Sequence, residues 1–252
     1  MKKIIFILLL SSPALHLFAQ QNFVAKGRVE FEKKENLKKE LDSWVDDNDE
    51  GDNSFIEQIK KTVPQFKLSY FNLYFDENHS IYKPGRESDQ KIPDFLARSV
   101  TDNIIYNDFA RQQTTAQKTV FNTSFILTDS MRHLDWRITN EVRTIAGFEC
   151  RKATAVMFDS VYVIAFYTDQ ILASAGPESF SGLPGMILGL AIPRINSTWF
   201  ATKLELVPVT DKDVAIPVKG KKMTTPEFKT MLKDRMKDWG KYGQRNLLLV
   251  SI

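Results

Sequence analysis

From Ser179 to Pro193 the chain carries no ionisable side chain, yet it holds three glycines and two prolines. A stretch of this kind restricts the fold strongly. With no polar alternation, Met186, Ile187 and Leu188 are buried on both sides or line an apolar cavity. The window is shorter than the roughly 20 apolar residues that cross a bilayer. Leu183-Pro184-Gly185-Met186 suits a type II turn: Pro184 presets its own φ, and Gly185 takes the positive φ required next. Gly182 and Gly189 leave room for another backbone to approach closely.

The rest of the chain reads mainly as strands. In "NFVAKGRVEFEKKE" (22–35), Phe23, Ala25, Val29 and Phe31 share one face, and Lys26, Arg28 and Glu30 the other. "KLSYFNLYF" (67–75) is apolar on both faces, as a central strand is. "TVFNTSFILTD", "WRITNEVR", "FECRKATAVMF", "VYVIAFYTD" and "STWFATKLELVPV" follow as strands with short turns. This spacing favours an antiparallel sheet over βαβ units. Two segments break the pattern. Residues 36–63 have helical spacing on either side of an acidic loop, predicting a helical hairpin. Residues 224–243 predict a C-terminal helix with Pro226 in its first turn. The apolar tail Leu247 to Ile252 reads as a last strand.

The N-terminus "MKKIIFILLLSSPALHLFAQ" has a basic start, an apolar run from Ile4 to Leu10 and a cleavage point after Ala19. That is the layout of a secretory signal peptide, residues 1–19, leaving one domain over 20–252. The expected location is the periplasm or cell envelope. With no Cys near the cut, lipid anchoring is not expected. Without Lys2 and Lys3 the 34 basic residues become 32, against 31 acidic. Such a balance gives no reason to expect nucleic acid or an anionic membrane as partner. No later segment is expected to span a membrane. Cys150 is the single cysteine, so no intramolecular disulfide exists, and with His79 and His133 the only histidines left, a zinc site is not expected.

"GLPGMI" at 182–187 resembles the signature of the GLPGLI family of secreted Bacteroidota-type proteins, with Met186 in place of the usual Leu. "FYTDQILASAGPESF" (166–180) resembles the segment leading into that signature. "DWRITNEVRTIAGFECRKATA" (135–155) resembles an upstream block containing Cys150. The match is strong over residues 135–210 and weaker elsewhere. The resemblance implies an exported β-rich envelope protein and no particular chemistry.

Candidate reactive groups are few. Cys150 with His133 and Asp135 suggests a Cys/His hydrolase, but a cysteine alternating with Phe148, Val156 and Phe158 on a strand reads better as a buried structural thiol. Ser179 and Ser181 lie near glycines without a G-x-S-x-G elbow. The loop from Asp46 to Glu57 places Asp46, Asn48, Glu50, Gly51, Ser54 and Glu57 near the calcium-loop pattern, although Glu50 and Asn53 depart from it. A solvated acidic turn is the simpler reading. The strand aromatics Tyr70, Phe71, Tyr74, Phe75, Trp136, Phe166, Tyr167, Trp199 and Phe200 form a core or line a cavity.

These features predict one β-rich α+β domain: a curved antiparallel sheet, with the half-barrel of periplasmic lipoprotein carriers as its fold-level analogy, covered by the helical hairpin and the C-terminal helix. The expected role is a non-catalytic binding or chaperone-type protein for an apolar ligand or envelope partner. The alternatives are an accessory subunit of an outer-membrane complex and a hydrolase. No metal or cofactor is expected. Gly182, Leu183, Pro184, Gly185, Met186, Ile187 and Cys150 are the motif positions, without an assigned role.

Overall fold

The computed structural model describes residues 23–42, 44, 54–93, 96 and 103–252. The segment expected to be a signal peptide lies outside them, as does most of the acidic loop. The described residues form one twelve-stranded sheet with four α-helices. In chain order the elements are β1 (Gly27–Asn36), α1 (Leu37–Asp42), α2 (Ser54–Thr62), β2 (Phe66–Phe75), β3 (His79–Pro84), β4 (Ile104–Asp108), β5 (Gln113–Val120), β6 (Thr123–Ser130), β7 (Arg137–Ile145), β8 (Phe148–Met157), β9 (Val161–Thr168), β10 (Met186–Ile192), β11 (Ser197–Glu205), β12 (Lys221–Lys222), α3 (Thr225–Met236) and α4 (Gly240–Ser251).

The sheet is two antiparallel meanders joined at one seam. Strands β1 to β6 run in sequence order on one side, β7 to β11 on the other, and β11 pairs with β1. Only β12 is parallel, along β6. Hairpin chemistry explains the meanders. Phe121-Asn122 between β5 and β6, and Ala146-Gly147 between β7 and β8, both take paired positive φ. This is the primed-turn geometry that matches strand twist. The stretch from Thr119 to Asp129 is therefore a hairpin rather than the single strand its pattern suggested.

The sheet curls. Ile145 on β7 reaches over Gly189 on β10, although β8 and β9 lie between them; a Cβ at Gly189 would sit 3.0 Å from Ile145. One continuous core fills the concave side, drawing Val29, Phe31, Phe71, Leu73, Ile105, Leu127, Val163, Leu190 and Trp199 onto Phe228, Leu232, Met236 and Val250 of α3 and α4. A smaller cluster of Ile81, Tyr106 and Val214 sits apart from it. Leu41 of α1, Ile59 of α2 and Val63 just after it belong to a third.

Three local expectations change. Strand β1 starts only at Gly27, and Phe23 is 54% exposed. The predicted 224–243 helix is two helices, broken where Gly240 takes φ +54°. The tail expected as a strand is α4, because Gly243, Asn246, Leu249 and Val250 are buried at helical spacing. A run as short as Leu247 to Ile252 cannot separate the two periods by itself.

Candidate functional site

The uncharged window is β10 together with the arch that precedes it. β10 lies between β9 and β11 and is buried almost throughout. Ile187 packs on Gly176, where a Cβ would come within 2.7 Å of the Ile187 Cβ, and the Ile187 N–H donates to the Ala175 carbonyl at 2.8 Å. Ser174 staples the arch: its hydroxyl donates to the Leu183 carbonyl at 2.8 Å and accepts from the Gly182 N–H at 3.1 Å. Trp136 Nε1 donates to the Ser181 carbonyl at 2.9 Å. The turn differs from the expected type II. The Gly185 N–H donates to the Leu183 carbonyl at 2.8 Å, a three-residue turn centred on Pro184. Gly185 does take positive φ, +132°, with Thr168 of β9 pressed against it.

The arch also carries Glu178 into the interior. This residue is 2% exposed and holds φ +54°, a conformation uncommon for a residue with a side chain. Asn103 Nδ2 donates to its carboxylate at 2.9 Å, and Lys33 Nζ lies 3.8 Å away. Lys33 also sits 3.5 Å from Glu35 and 5.2 Å from the Trp199 ring. Lys33 and Glu35 thus continue the inward face begun by Val29 and Phe31.

Next to Glu178 a cavity of about 370 Å³ opens between β4 to β6 and the two C-terminal helices. Ile105, Ala116, Leu127, Phe228, Leu232 and Val250 give it apolar walls. Lys118, Arg132 and Lys229 bring positive charge to it, Asp129 a carboxylate, and His133 and Ser179 line it as well. Lys118 points inward because it alternates in phase with Ala116 and Val120 on β5. Three successive carbonyls at the end of α4 are satisfied from three places. Lys118 Nζ donates to Val250 at 2.6 Å, Arg132 donates to Ser251, and the Ser179 hydroxyl donates to Ile252. Such carbonyls have no partner inside their own helix, and cations suit a helix C-terminus. Burial pushes the Lys118 ammonium down to about 8, against the pull of Glu178, and the Arg132 guanidinium down to about 10 in the same way.

The sequence-derived candidates disperse. Cys150 is fully buried, and burial pushes its thiol up to about 11. Its supposed alternation with Val156 and Phe158 fails, since Val156 is 56% exposed. The burial phase slips between Cys150 and Ala153, opposite an irregularity in β7. His133 is exposed, its Nε2 3.6 Å from Asp135, while Cys150 is sealed in the core, so the Cys/His pair does not assemble. Ser181 is buried under Trp136. Of the candidate ligands in the acidic loop only Ser54 and Glu57 are described, and Glu57 accepts from Lys60 Nζ at 2.6 Å. Among the strand aromatics, Phe71, Phe75, Tyr167 and Trp199 are core, and none of the nine lines the 370 Å³ cavity. Lys118, Arg132 and Glu178 were missed by the sequence reading. The signal for Lys118 is a charge in phase with an apolar strand face and that for Glu178 its place at the edge of the uncharged window, while Arg132, between β6 and β7, carries none.

This is a β-rich protein built on one large open sheet, with helices packed on its concave side. A family model described as "Protein of unknown function (Porph_ging)" matches residues 156–189, from the end of β8 to Gly189 in β10. No curated protein matches. Two structures of PNGF-II, in the C2 and P21 space groups, are similar in fold, with TM-scores of 0.53 and 0.52 at 11% and 12% identity. They match 82% and 86% of this chain, which spans only 32% and 34% of theirs.

Proposed function

We propose that the protein is an exported, non-catalytic binding protein of the chaperone type, holding an apolar ligand in the concave side of a half-barrel. We also read it as a GLPGLI family member, on the strength of Gly182 to Ile187. The observation that carries the binding reading is the 370 Å³ cavity, apolar over most of its wall, between β4 to β6 and α3 and α4. Its size falls in the range of small-ligand sites. The N-terminal residues 1–19 support export to the periplasm or envelope. Native mass spectrometry of the protein purified gently from the envelope tests this reading. A reproducible extra mass, released on denaturation, is expected; a bare chain that also fails to take up any apolar probe would refute it.

The accessory-subunit reading draws on a different feature. β7 is an edge strand, paired only with β8, and is exposed along nearly its whole length. Such an edge accepts an added strand. A photo-crosslinker at Val142 is expected to capture one defined envelope partner if this reading holds, and none if it does not.

A further inference from the structure

We propose that the cavity takes a single-chain amphiphile with an anionic head, carboxylate or phosphate, and that Lys118 and Arg132 hold that head; this rests on the ligand-binding reading above. The lining side chains set the sign. Lys118, Arg132 and Lys229 are cationic, and Asp129 is the one acidic side chain among the described lining residues. Asp129 lies on the exposed rim, where its carboxylate accepts the Ser130 N–H at 2.8 Å. Glu178, the interior counter-charge, is already shared with Asn103 and Lys33. Lys229 is exposed like Asp129 and offsets it at the rim, so the interior cations of the wall are Lys118 and Arg132, where burial makes charges interact strongly.

Donor capacity points the same way. An ammonium has three N–H donors, and the recorded partner of Lys118 is the Val250 carbonyl at 2.6 Å. A guanidinium has five, and Arg132 uses them toward Ser251 and the Met157 sulfur at 3.4 Å. Both cations thus retain donors for an anion, and charge-assisted bonds of this kind are the strong ones. Ile105, Ala116, Leu127 and Leu232 then receive the chain. Capping α4 is the competing explanation for both cations, and it predicts no preference among ligands.

The test titrates the full chain calorimetrically with octanoate, octyl phosphate, octan-1-ol and inorganic phosphate. The two anionic octyl compounds are expected to bind about tenfold or more tighter than octan-1-ol. Lys118→Met is expected to abolish that preference, and Lys118→Arg to retain it. Equal binding of octanoate and octan-1-ol by the unaltered protein overturns the head-group site and leaves the cavity reading intact. Failure of every octyl compound to bind overturns both. Inorganic phosphate binding as tightly as octyl phosphate overturns the amphiphile and identifies a free-anion site.

Discussion

A methyl group is too large for position 185. A Cβ there would lie 2.0 Å from the Thr168 carbonyl oxygen, and φ is +132°. Gly185→Ala is therefore expected to cost about 3 kcal/mol or more, read as a lower urea midpoint with an unchanged slope. Gly147→Ala is the control: φ is +87° but nothing lies within 4 Å, so about 1 kcal/mol is expected. Lys118 makes a prediction of opposite sign. Its proton leaves the native protein near pH 8, while the unfolded chain keeps it to about 10.5. Between those values the unfolded state binds more protons, so stability rises with pH; below pH 8 the whole cost of the buried charge is present. That cost is about 3 kcal/mol at most, partly offset by the bond to Val250. Lys118→Met is expected to be more stable than the parent at pH 7, with the difference shrinking toward pH 10 in thermal melts. Cys150 offers a third readout. Sealed and protonated, it should react with a maleimide only as fast as the protein opens.

Among the elements, α3 has the clearest local code. The Thr224 side chain accepts from the Glu227 N–H, and Glu227 reaches back to the Thr224 N–H at 3.0 Å. Thr224→Ala is expected to cost about 1 kcal/mol and to speed hydrogen exchange in the first turn of α3. Most strands were legible in the same way, since Val29 with Phe31 and Phe71 with Leu73 mark inward faces by simple alternation. The illegible parts have physical causes. A β-hairpin at Phe121-Asn122 needs positive φ from Phe121 as well as from Asn122, and a phenylalanine rarely signals it. The tail Leu247 to Ile252 is too short for its period to show. Lys118 and Glu178 look like ordinary surface charges until the fold brings α4 and Asn103 against them.

At the scale of the whole molecule, the candidate site belongs to no single segment. Its walls come from β4, β5, β6, the Glu178 arch, α3 and α4, which explains why alternation and turn residues located the sheet but not the cavity. Ala116→Trp is expected to fill the cavity and remove probe binding while the fold persists, checked by calorimetry beside far-ultraviolet circular dichroism. The seam between β1 and β11 has a consequence in time. Each meander is made of neighbours along the chain and can zip locally, but Arg28 and Glu205 meet across 177 positions. Ordering that long loop costs chain entropy before the contacts repay it. The slow step in folding is therefore expected to be the meeting of the two halves, and a ribosome must finish β11 before the seam between them can form.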